Sequence, residues 1–305
     1  MQSPVGVRAA CIDIGSNTTR LLVADCTGGG LVEVHQERAF TRIGQGLAAS
    51  GVIAPEKIDE VVTVVLAQMG VARQHGAEAI RGVATAAIRT AANGAALVTA
   101  IAERTGLAVE IVSGEEEARL AFEGAAAMLD AEAAAILAAR GLTTALGVVD
   151  VGGGSSEVVV GGVPDRVEWW ASVPLGSGAL TEHCLHADPP TSAELAAARA
   201  EVAAAMAGLA PPRPRVAVAV GGSATSLGRV TGPTLDAGAF ERALSVLTAE
   251  PSPLVAQRFE IDPQRARLLP AGLLILHGVS RLLETTVRVG RGGIREGVLL
   301  EAVKP

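Results

Sequence analysis

Apolar and polar residues alternate along the chain between short runs typical of strands and longer stretches with helical spacing. Residues 7–14 and 19–25 are apolar runs joined by a short polar loop, and we expect them to pair as a β-hairpin. A third strand is predicted over 31–40. Segment 54–76 is predicted to be a helix, since Pro55 suits its first turn. Its apolar residues repeat at helical spacing: Ile58, Val61, Val62, Val65, Leu66 and Met69.

The rest of the chain continues as strands alternating with helices. Strands are predicted at 79–85, 107–113, 165–174 and 215–222, together with a second hairpin over 146–161. Helices are predicted at 93–105, 114–128, 192–209, 238–249, 263–284 and 292–303, the first with Asn93 as its N-cap. This alternation indicates an α/β protein with largely parallel sheets and helices on both faces.

The second hairpin repeats the first. DIGSNTTRLLV, from Asp13, aligns with DVGGGSSEVVV, from Asp150, and Arg20 then takes the position of Glu157. An internal duplication implies two similar lobes with a cleft between them. Loops of Gly, Ser and Thr let backbone N–H groups approach phosphate oxygens, and the aspartates can hold a divalent cation. The repeat therefore predicts a clamp around a phosphorylated ligand.

Composition narrows the class of protein. The chain has 305 residues, 49% of them hydrophobic and 19% charged, which is typical of a folded α/β protein with room for two domains. A net charge of -7 argues against a nucleic-acid surface. The most apolar segment, 268–279, is too short to span a bilayer, and no signal sequence is evident, so we expect a cytoplasmic protein.

The cysteines indicate neither a disulfide framework nor a zinc site. Cys11, Cys26 and Cys184 are an odd number and include no C-x-x-C pair. In the predicted hairpin, Cys11 faces Leu22 rather than Cys26. Because only Lys57 and Lys304 are lysines, phosphate contacts are expected from arginine side chains and backbone N–H groups.

Seven motifs, in order, resemble the exopolyphosphatase and guanosine-pentaphosphate phosphohydrolase (Ppx/GppA) family of the actin-like superfamily. They are DIGSNTTRLLVAD, ATAAIRTAAN, SGEEEARL, DVGGGSSEVV, VGGSATSL, LPAGLLIL and IREGVL, and the resemblance extends from about residue 8 to about residue 301. The resemblance implies two similar actin-like (ribonuclease H-like) lobes with the active-site cleft between them. We expect a short, two-domain member with domains 1–124 and 125–305, in which helix 294–305 packs back on the first domain.

The resemblance also implies the site residues. Glu117 matches the general base, with Glu116 as the alternative because three glutamates stand in a row, and Glu157 matches the second catalytic acid. The metal ligands expected are Asp150 and Glu157, which match the family's magnesium-binding pair, and Asp13, the equivalent of Asp150 in the first hairpin. The implied phosphate-binding residues are Gly15, Ser16, Asn17, Thr18, Arg89, Gly152, Gly153, Gly154, Ser155, Gly222 and Ser223.

These residue types suit the cleavage of a phosphoanhydride, which needs a positioned water, a base and neutralised oxygen charge. The sequence lacks G-x-x-x-x-G-K-[ST], so it is not a P-loop protein. A carboxylate base needs a raised pKa, which Glu115, Glu116 and Glu117 could supply together beside a bound polyanion. Acids in the first turn of a helix also stabilise the helix by roughly 0.3–1 kcal/mol each through its dipole. The position of these glutamates alone therefore favours neither a catalytic role nor a purely structural one.

The function expected is that of an exopolyphosphatase that uses Mg²⁺ or Mn²⁺ and acts on short polyphosphates, as a homodimer with no nucleic-acid or membrane partner. Hydrolysis of guanosine pentaphosphate is the alternative within the enzyme class, because the motifs suit any linear phosphate terminus. An actin-like nucleotide or phosphate sensor without turnover is the alternative outside it.

Overall fold

The computed structural model describes residues 6–27, 30–138 and 146–302. The chain forms two compact units: an N-terminal unit of residues 1–127 with 293–305, and a C-terminal unit of residues 128–292. The outer ends of the predicted domains, 1–5 and 303–305, lie outside the described residues, as does the last residue of predicted helix 292–303.

Eleven strands are found in the described residues, and they form one sheet in each unit. The strands are β1 Val7–Ile14, β2 Thr19–Thr27, β3 Gly30–Ala39, β4 Ala79–Ala84, β5 Val109–Ile111, β6 Leu146–Val151, β7 Ser156–Gly162, β8 Arg166–Val173, β9 Val216–Val220, β10 Thr234–Leu235 and β11 Val287–Val289.

Fourteen helices are found in the same part of the chain. They are α1 Leu47–Ser50, α2 Pro55–Gln74, α3 Ala86–Thr90, α4 Gly94–Thr105, α5 Gly114–Ala127, α6 Ala131–Ala138, α7 Ser177–Cys184, α8 Ser192–Ala205, α9 Gly221–Thr231, α10 Ala237–Leu247, α11 Ser252–Phe259, α12 Pro263–Ala266, α13 Leu269–Leu282 and α14 Ile294–Glu301.

The sheet of the N-terminal unit has the order β3-β2-β1-β4-β5, and that of the C-terminal unit the order β10-β11-β9-β6-β7-β8. In each sheet, three strands that follow one another in the chain pair antiparallel, and the next strand pairs parallel with the first of the three. The α/β class and the duplicated sheet are confirmed. The expectation of largely parallel sheets is wrong, because each hairpin continues into a third antiparallel strand.

Alternate residues of β1 face two separate cores. Ile12 and Ile14 belong to a cluster with Val61 and Val65 of α2, while Cys11 belongs to a cluster with Leu299 of α14. Cys11 lies opposite Leu22, as predicted, and all three cysteines are free. Burial raises the pKa of the Cys11 thiol far above its usual range, so this cysteine acts as a small core residue.

Three local predictions are wrong. The strand expected over 215–222 ends at Val220, and helix α9 begins at Gly221. The single helix expected over 263–284 is two helices, α12 and α13, with Pro270 in the first turn of the second. The Asn93 side chain does not cap α4: it bonds both backbone groups of Ile53, each at 2.8 Å. No helix of the described residues is both long and apolar enough to cross a membrane.

Candidate functional site

Each unit carries the same turn between the first two strands of its sheet. In the N-terminal unit the N–H of Gly15 donates to the carbonyl of Thr18 at 3.0 Å, and in the C-terminal unit the N–H of Gly152 donates to the carbonyl of Ser155 at 3.0 Å. Side chains directly opposite one another in an antiparallel pair lie on one face of the sheet. Asp13 faces Arg20 in this way, and Asp150 faces Glu157. The predicted equivalence of Arg20 and Glu157 is therefore confirmed.

The N-terminal loop, residues 15–18, is held by the segment that follows β3. The N–H of Gly44 donates to the carbonyl of Ser16 at 2.7 Å, and the N–H of Arg42 donates to that of Asn17 at 3.0 Å. Ser16 and Thr18 are buried. The side-chain Nδ2 of Asn17 is also buried, and it donates to no acceptor in the described part of the chain. The loop therefore offers a fixed backbone and a spare buried donor.

The C-terminal loop, residues 152–155, rests on the first turn of α7. The N–H of Ser177 donates to the carbonyl of Gly152 at 2.9 Å, and that of Ala179 to the carbonyl of Gly153 at 2.9 Å. A Cβ at Gly176 would collide with the backbone of Gly153. Glycine is required there because the loop and the helix touch backbone to backbone.

The first turn of α9 adds Gly222 and Ser223 to this loop. The Oγ of Ser223 lies 3.4 Å from the Oγ of Ser177, which in turn donates to the carbonyl of Gly152 at 3.1 Å. Gly221 has φ 81°, and a Cβ on it would collide with the carboxylate of Asp150. The structure thus brings together Asp150, loop 152–155 and the start of α9.

Arg265 of α12 belongs to the same group, and the sequence did not indicate it. A Cβ on Gly222 would lie 2.5 Å from Nη2 of Arg265, so the guanidinium covers the start of α9. Only 6% of Arg265 is exposed. The burial of Arg265 could not be predicted from the sequence, because the segment RAR in DPQRARLLP is typical of a solvent-exposed helix face.

The candidate metal ligands are divided between the units. Asp150 and Glu157 are neighbours in the C-terminal unit, and the Oγ of Ser172 donates to Oε1 of Glu157 at 2.9 Å. Asp13 is buried in the N-terminal unit. Within the described residues no three His, Cys, Asp or Glu side chains form a group that could hold a metal ion. The metal set of Asp13, Asp150 and Glu157 stays a prediction.

The three consecutive glutamates at the start of α5 have different surroundings. Glu115 is exposed. Glu116 accepts from Arg119 of the same helix at 2.9 and 2.5 Å, and this guanidinium lowers the pKa of the Glu116 carboxyl. Glu117 is buried and faces α3. The hypothesis that the three carboxylates together raise one pKa beside a bound polyanion stays a prediction.

Arg89 holds Glu117 in place. Its Nη1 donates to Oε2 of Glu117 at 2.8 Å and to the carbonyl of Val112 at 2.8 Å. Arg89 lies near the end of α3 and Glu117 in the first turn of α5, so the two helix ends are joined by this ion pair. Arg89, predicted to contact phosphate, is bound to the predicted base.

Known proteins resemble the chain over most of its length. The profile of the Ppx/GppA phosphatase family matches residues 22–305. Exopolyphosphatase 2 of Mycobacterium tuberculosis is 39% identical over 63% of this chain, and the match spans only 59% of that relative's length. Exopolyphosphatase 1 of Mycobacterium leprae is 30% identical over 96% of this chain and 89% of its own. The crystal structure of the Aquifex aeolicus Ppx/GppA family member superposes with a TM-score of 0.77, at 27% identity, covering 98% of each chain.

Proposed function

Because the chain belongs to the Ppx/GppA phosphatase family, we propose that it is an exopolyphosphatase, which hydrolyses the terminal phosphoanhydride of inorganic polyphosphate. Relatives that carry the name exopolyphosphatase support this reaction. The step transfers a phosphoryl group to water, so it requires a positioned water, a proton acceptor and neutralised oxygen charge.

The repeated turn is the observation that carries the proposal. Both loops present a backbone closed by the same N–H to carbonyl bond, from Gly15 in one unit and Gly152 in the other. Small residues in such turns leave backbone N–H groups open to anionic oxygens. The buried Nδ2 of Asn17 adds a donor without an acceptor in the described residues, and a phosphate oxygen would satisfy it.

Glu117 acts as the base in this proposal. Its carboxylate is oriented by Arg89, while that of Glu116 is engaged by Arg119. Arg119 engages both oxygens of Glu116, at 2.9 and 2.5 Å, and lowers the pKa of that carboxyl, whereas Arg89 binds Glu117 through Oε2. Glu117 therefore takes the proton of the attacking water, and Arg89 keeps its Oε2 in one position throughout.

Asp150 and Glu157 fit a Mg²⁺ ion, or Mn²⁺ in its place. Mg²⁺ commonly binds one or two protein carboxylates together with waters and substrate phosphates, and this pair lies beside the glycine loop 152–155. When bound, the cation would neutralise charge on phosphate oxygens. The Ser172 hydroxyl holds the Glu157 carboxylate by a 2.9 Å hydrogen bond, and Gly221 leaves room for that of Asp150.

We further propose a preference for short polyphosphates, since each additional bound phosphate needs a cationic contact and the chain has a net charge of -7. A cytoplasmic location is supported by three free thiols. The expected homodimer stays a prediction that light scattering of the purified chain can test.

Phosphate release from three substrates tests the function: polyphosphates of defined length, guanosine pentaphosphate and ATP, each with Mg²⁺, with Mn²⁺ and with a chelator. We expect metal-dependent release from polyphosphate that Glu117→Gln abolishes and Glu115→Gln, its exposed neighbour, preserves. Faster phosphate release from guanosine pentaphosphate than from polyphosphate would identify guanosine pentaphosphate as the preferred substrate. Substrate binding with no release from any of the three would identify a sensor.

A further inference from the structure

One arginine on α5 binds three carboxylates. Arg119 donates from Nε and Nη2 to both oxygens of Glu116, at 2.9 and 2.5 Å, and from Nη1 to Oε1 of Glu123 at 2.5 Å. Its Nη2 also donates to Oε1 of Glu301 on α14. We call these four residues the Arg119 cluster. Its carboxylates raise the pKa of Arg119 and keep it charged.

The cluster joins two helices that touch along their backbones. A Cβ on Gly124 of α5 would collide with the carbonyl of Gly293, and a Cβ on Gly297 of α14 would collide with that of Leu120. Glu123 is buried in this region, and a buried carboxylate requires a charged or hydrogen-bonding partner. Arg119 therefore neutralises a buried acid and connects α5 to the last turn of α14.

The proposed base lies at the edge of this cluster. Glu117 follows Glu116 directly, and the two carboxylates are held by different arginines, Arg89 and Arg119. Around Glu117, α3 contributes Arg89 and α5 contributes Glu115, Glu116, Arg119 and Glu123. Of the charged residues on α14, Glu301 binds Arg119 and Arg295 donates to the carbonyl of Leu21, while Glu296 is buried.

We propose that Arg119 is a positioning residue for Glu117: by binding Glu116 and Glu123 it keeps their negative charge from acting on the base. The inference rests on the proposed function of Glu117. Without Arg119, the carboxylates of Glu116, Glu123 and Glu301 would lose the positive charge that they share. Like charges disfavour ionisation of a carboxyl group, so Glu117 would hold its proton to a higher pH and would be deprotonated in a smaller fraction of molecules at low pH.

The pH dependence of kcat in Arg119→Gln tests this inference. A base works only when deprotonated, so a raised pKa moves the acid limb of the profile to higher pH. We expect a movement of about half a pH unit, or about threefold in kcat on that limb, with KM changed less than twofold. Adding Glu116→Gln to this variant should reverse more than half of the movement, since it removes one released charge.

A second pair of residues provides the control. Arg104 of α4 forms an exposed ion pair with Asp59 at 2.5 Å, so Arg104→Gln should leave the profile unmoved. An equal loss of kcat at every pH in Arg119→Gln, or no rescue by Glu116→Gln, would overturn the proposal and leave Arg119 with a structural role. If Arg119→Gln does not fold, Arg119→Gln with Glu123→Gln removes the buried acid together with its partner, and a smaller movement in the same direction is expected because Glu116 is still released.

A direct titration separates this inference from the proposed function. In the full chain labelled with ¹³C-glutamate, the carboxyl signal of Glu117 is identified by its disappearance in Glu117→Gln. Its titration midpoint should be higher in Arg119→Gln than in the natural chain. An unchanged midpoint would refute the role of Arg119 even if the enzyme is active. A raised midpoint would support it even if the chain hydrolyses none of the substrates.

Discussion

Replacing Glu117 and Glu116 separately with glutamine distinguishes the proposed base from its neighbour. Each change removes one negative charge and preserves side-chain shape. In Glu117→Gln the amide oxygen still accepts from Nη1 of Arg89, which lies 2.8 Å from the present carboxylate oxygen. In Glu116→Gln the paired contacts with Arg119, at 2.9 and 2.5 Å, lose their charge. Glu117→Gln therefore removes the proposed base, whereas Glu116→Gln removes an ion pair with Arg119.

The expected loss of activity is much larger for Glu117→Gln. A positioned base contributes about 10²–10⁴-fold, so turnover should fall at least a hundredfold, equivalent to about 2.7 kcal/mol in the activation free energy. Weakening the charged hydrogen bond to Arg89 costs about 1 kcal/mol of stability. The free energy of unfolding of a typical domain is about 5–15 kcal/mol, so this variant stays folded and unfolding cannot account for its loss of activity.

Glu116→Gln should lose stability rather than activity. Its ion pair is partly exposed and screened, so we expect a loss of about 0.5 kcal/mol and less than a threefold change in kcat. Because Arg119 lowers the pKa of Glu116 in the folded state, this stabilisation is present above the ordinary value of 4.5. It is lost as the pH falls through the lowered folded pKa. The stability difference between Glu116→Gln and the natural chain should therefore vanish in acid.

Steady-state phosphate release gives kcat, and calorimetric titration of Glu117→Gln with substrate gives the affinity, which should be largely preserved. Thermal unfolding of each variant supplies the stability comparison. A hundredfold loss in Glu116→Gln with an active Glu117→Gln would show that the base is Glu116. Two active variants would refute a glutamate base at this helix start.

Three further predictions concern the ion pair of Arg89, the contact between α5 and α14, and the length of the substrate. Arg89→Lys should lower kcat about tenfold, since a flexible lysine side chain does not fix its ammonium where the planar guanidinium holds Nη1 between Glu117 and Val112; unchanged kinetics would mean that Arg89 does not align Glu117. Gly297→Ala should lower the free energy of unfolding by about 1–3 kcal/mol, measured by thermal unfolding, because the added Cβ collides with α5. Gly70→Ala is the control: a Cβ at Gly70 meets nothing within 4 Å, so this change should be neutral or stabilising. Equal effects of the two changes would refute the close contact between α5 and α14. Gel analysis of a long polyphosphate during digestion should show a ladder of intermediate lengths, and its direct conversion to phosphate would contradict the short-chain proposal.

Local sequence patterns were sufficient for the elements whose periodicity is strong. The two hairpins, β3 and α2 were predicted close to their observed bounds, because apolar runs around a Gly-Ser-Thr loop and repeated helical spacing are local signals. The aligned repeat also predicted the register, in which Arg20 and Glu157 occupy equivalent places. The register of a hairpin is set by its loop and by which side chains are buried, and both depend on residues that are close in sequence.

Predictions failed where a distant partner outweighed a local preference. Asn93 suits an N-cap, but its amide pairs with the backbone of Ile53, forty residues earlier in the chain. Gly221 reads as the end of a strand. It starts α9 with φ 81°, and the Asp150 carboxylate occupies the space that a Cβ would need.

The sequence by itself determined the α/β class, the duplication and the residue types suited to a phosphate ligand. Apart from the family resemblance, which favoured Glu117 with Glu116 as the alternative, it left Glu115, Glu116 and Glu117 as three carboxylates on one helix turn with no physical difference between them. Only the tertiary structure distinguished them, because Arg89 comes from α3 to bind Glu117, while Arg119 binds Glu116 and connects it to α14. Periodicity is a property of neighbouring residues, whereas the charge that surrounds a carboxylate depends on residues brought together from distant parts of the chain.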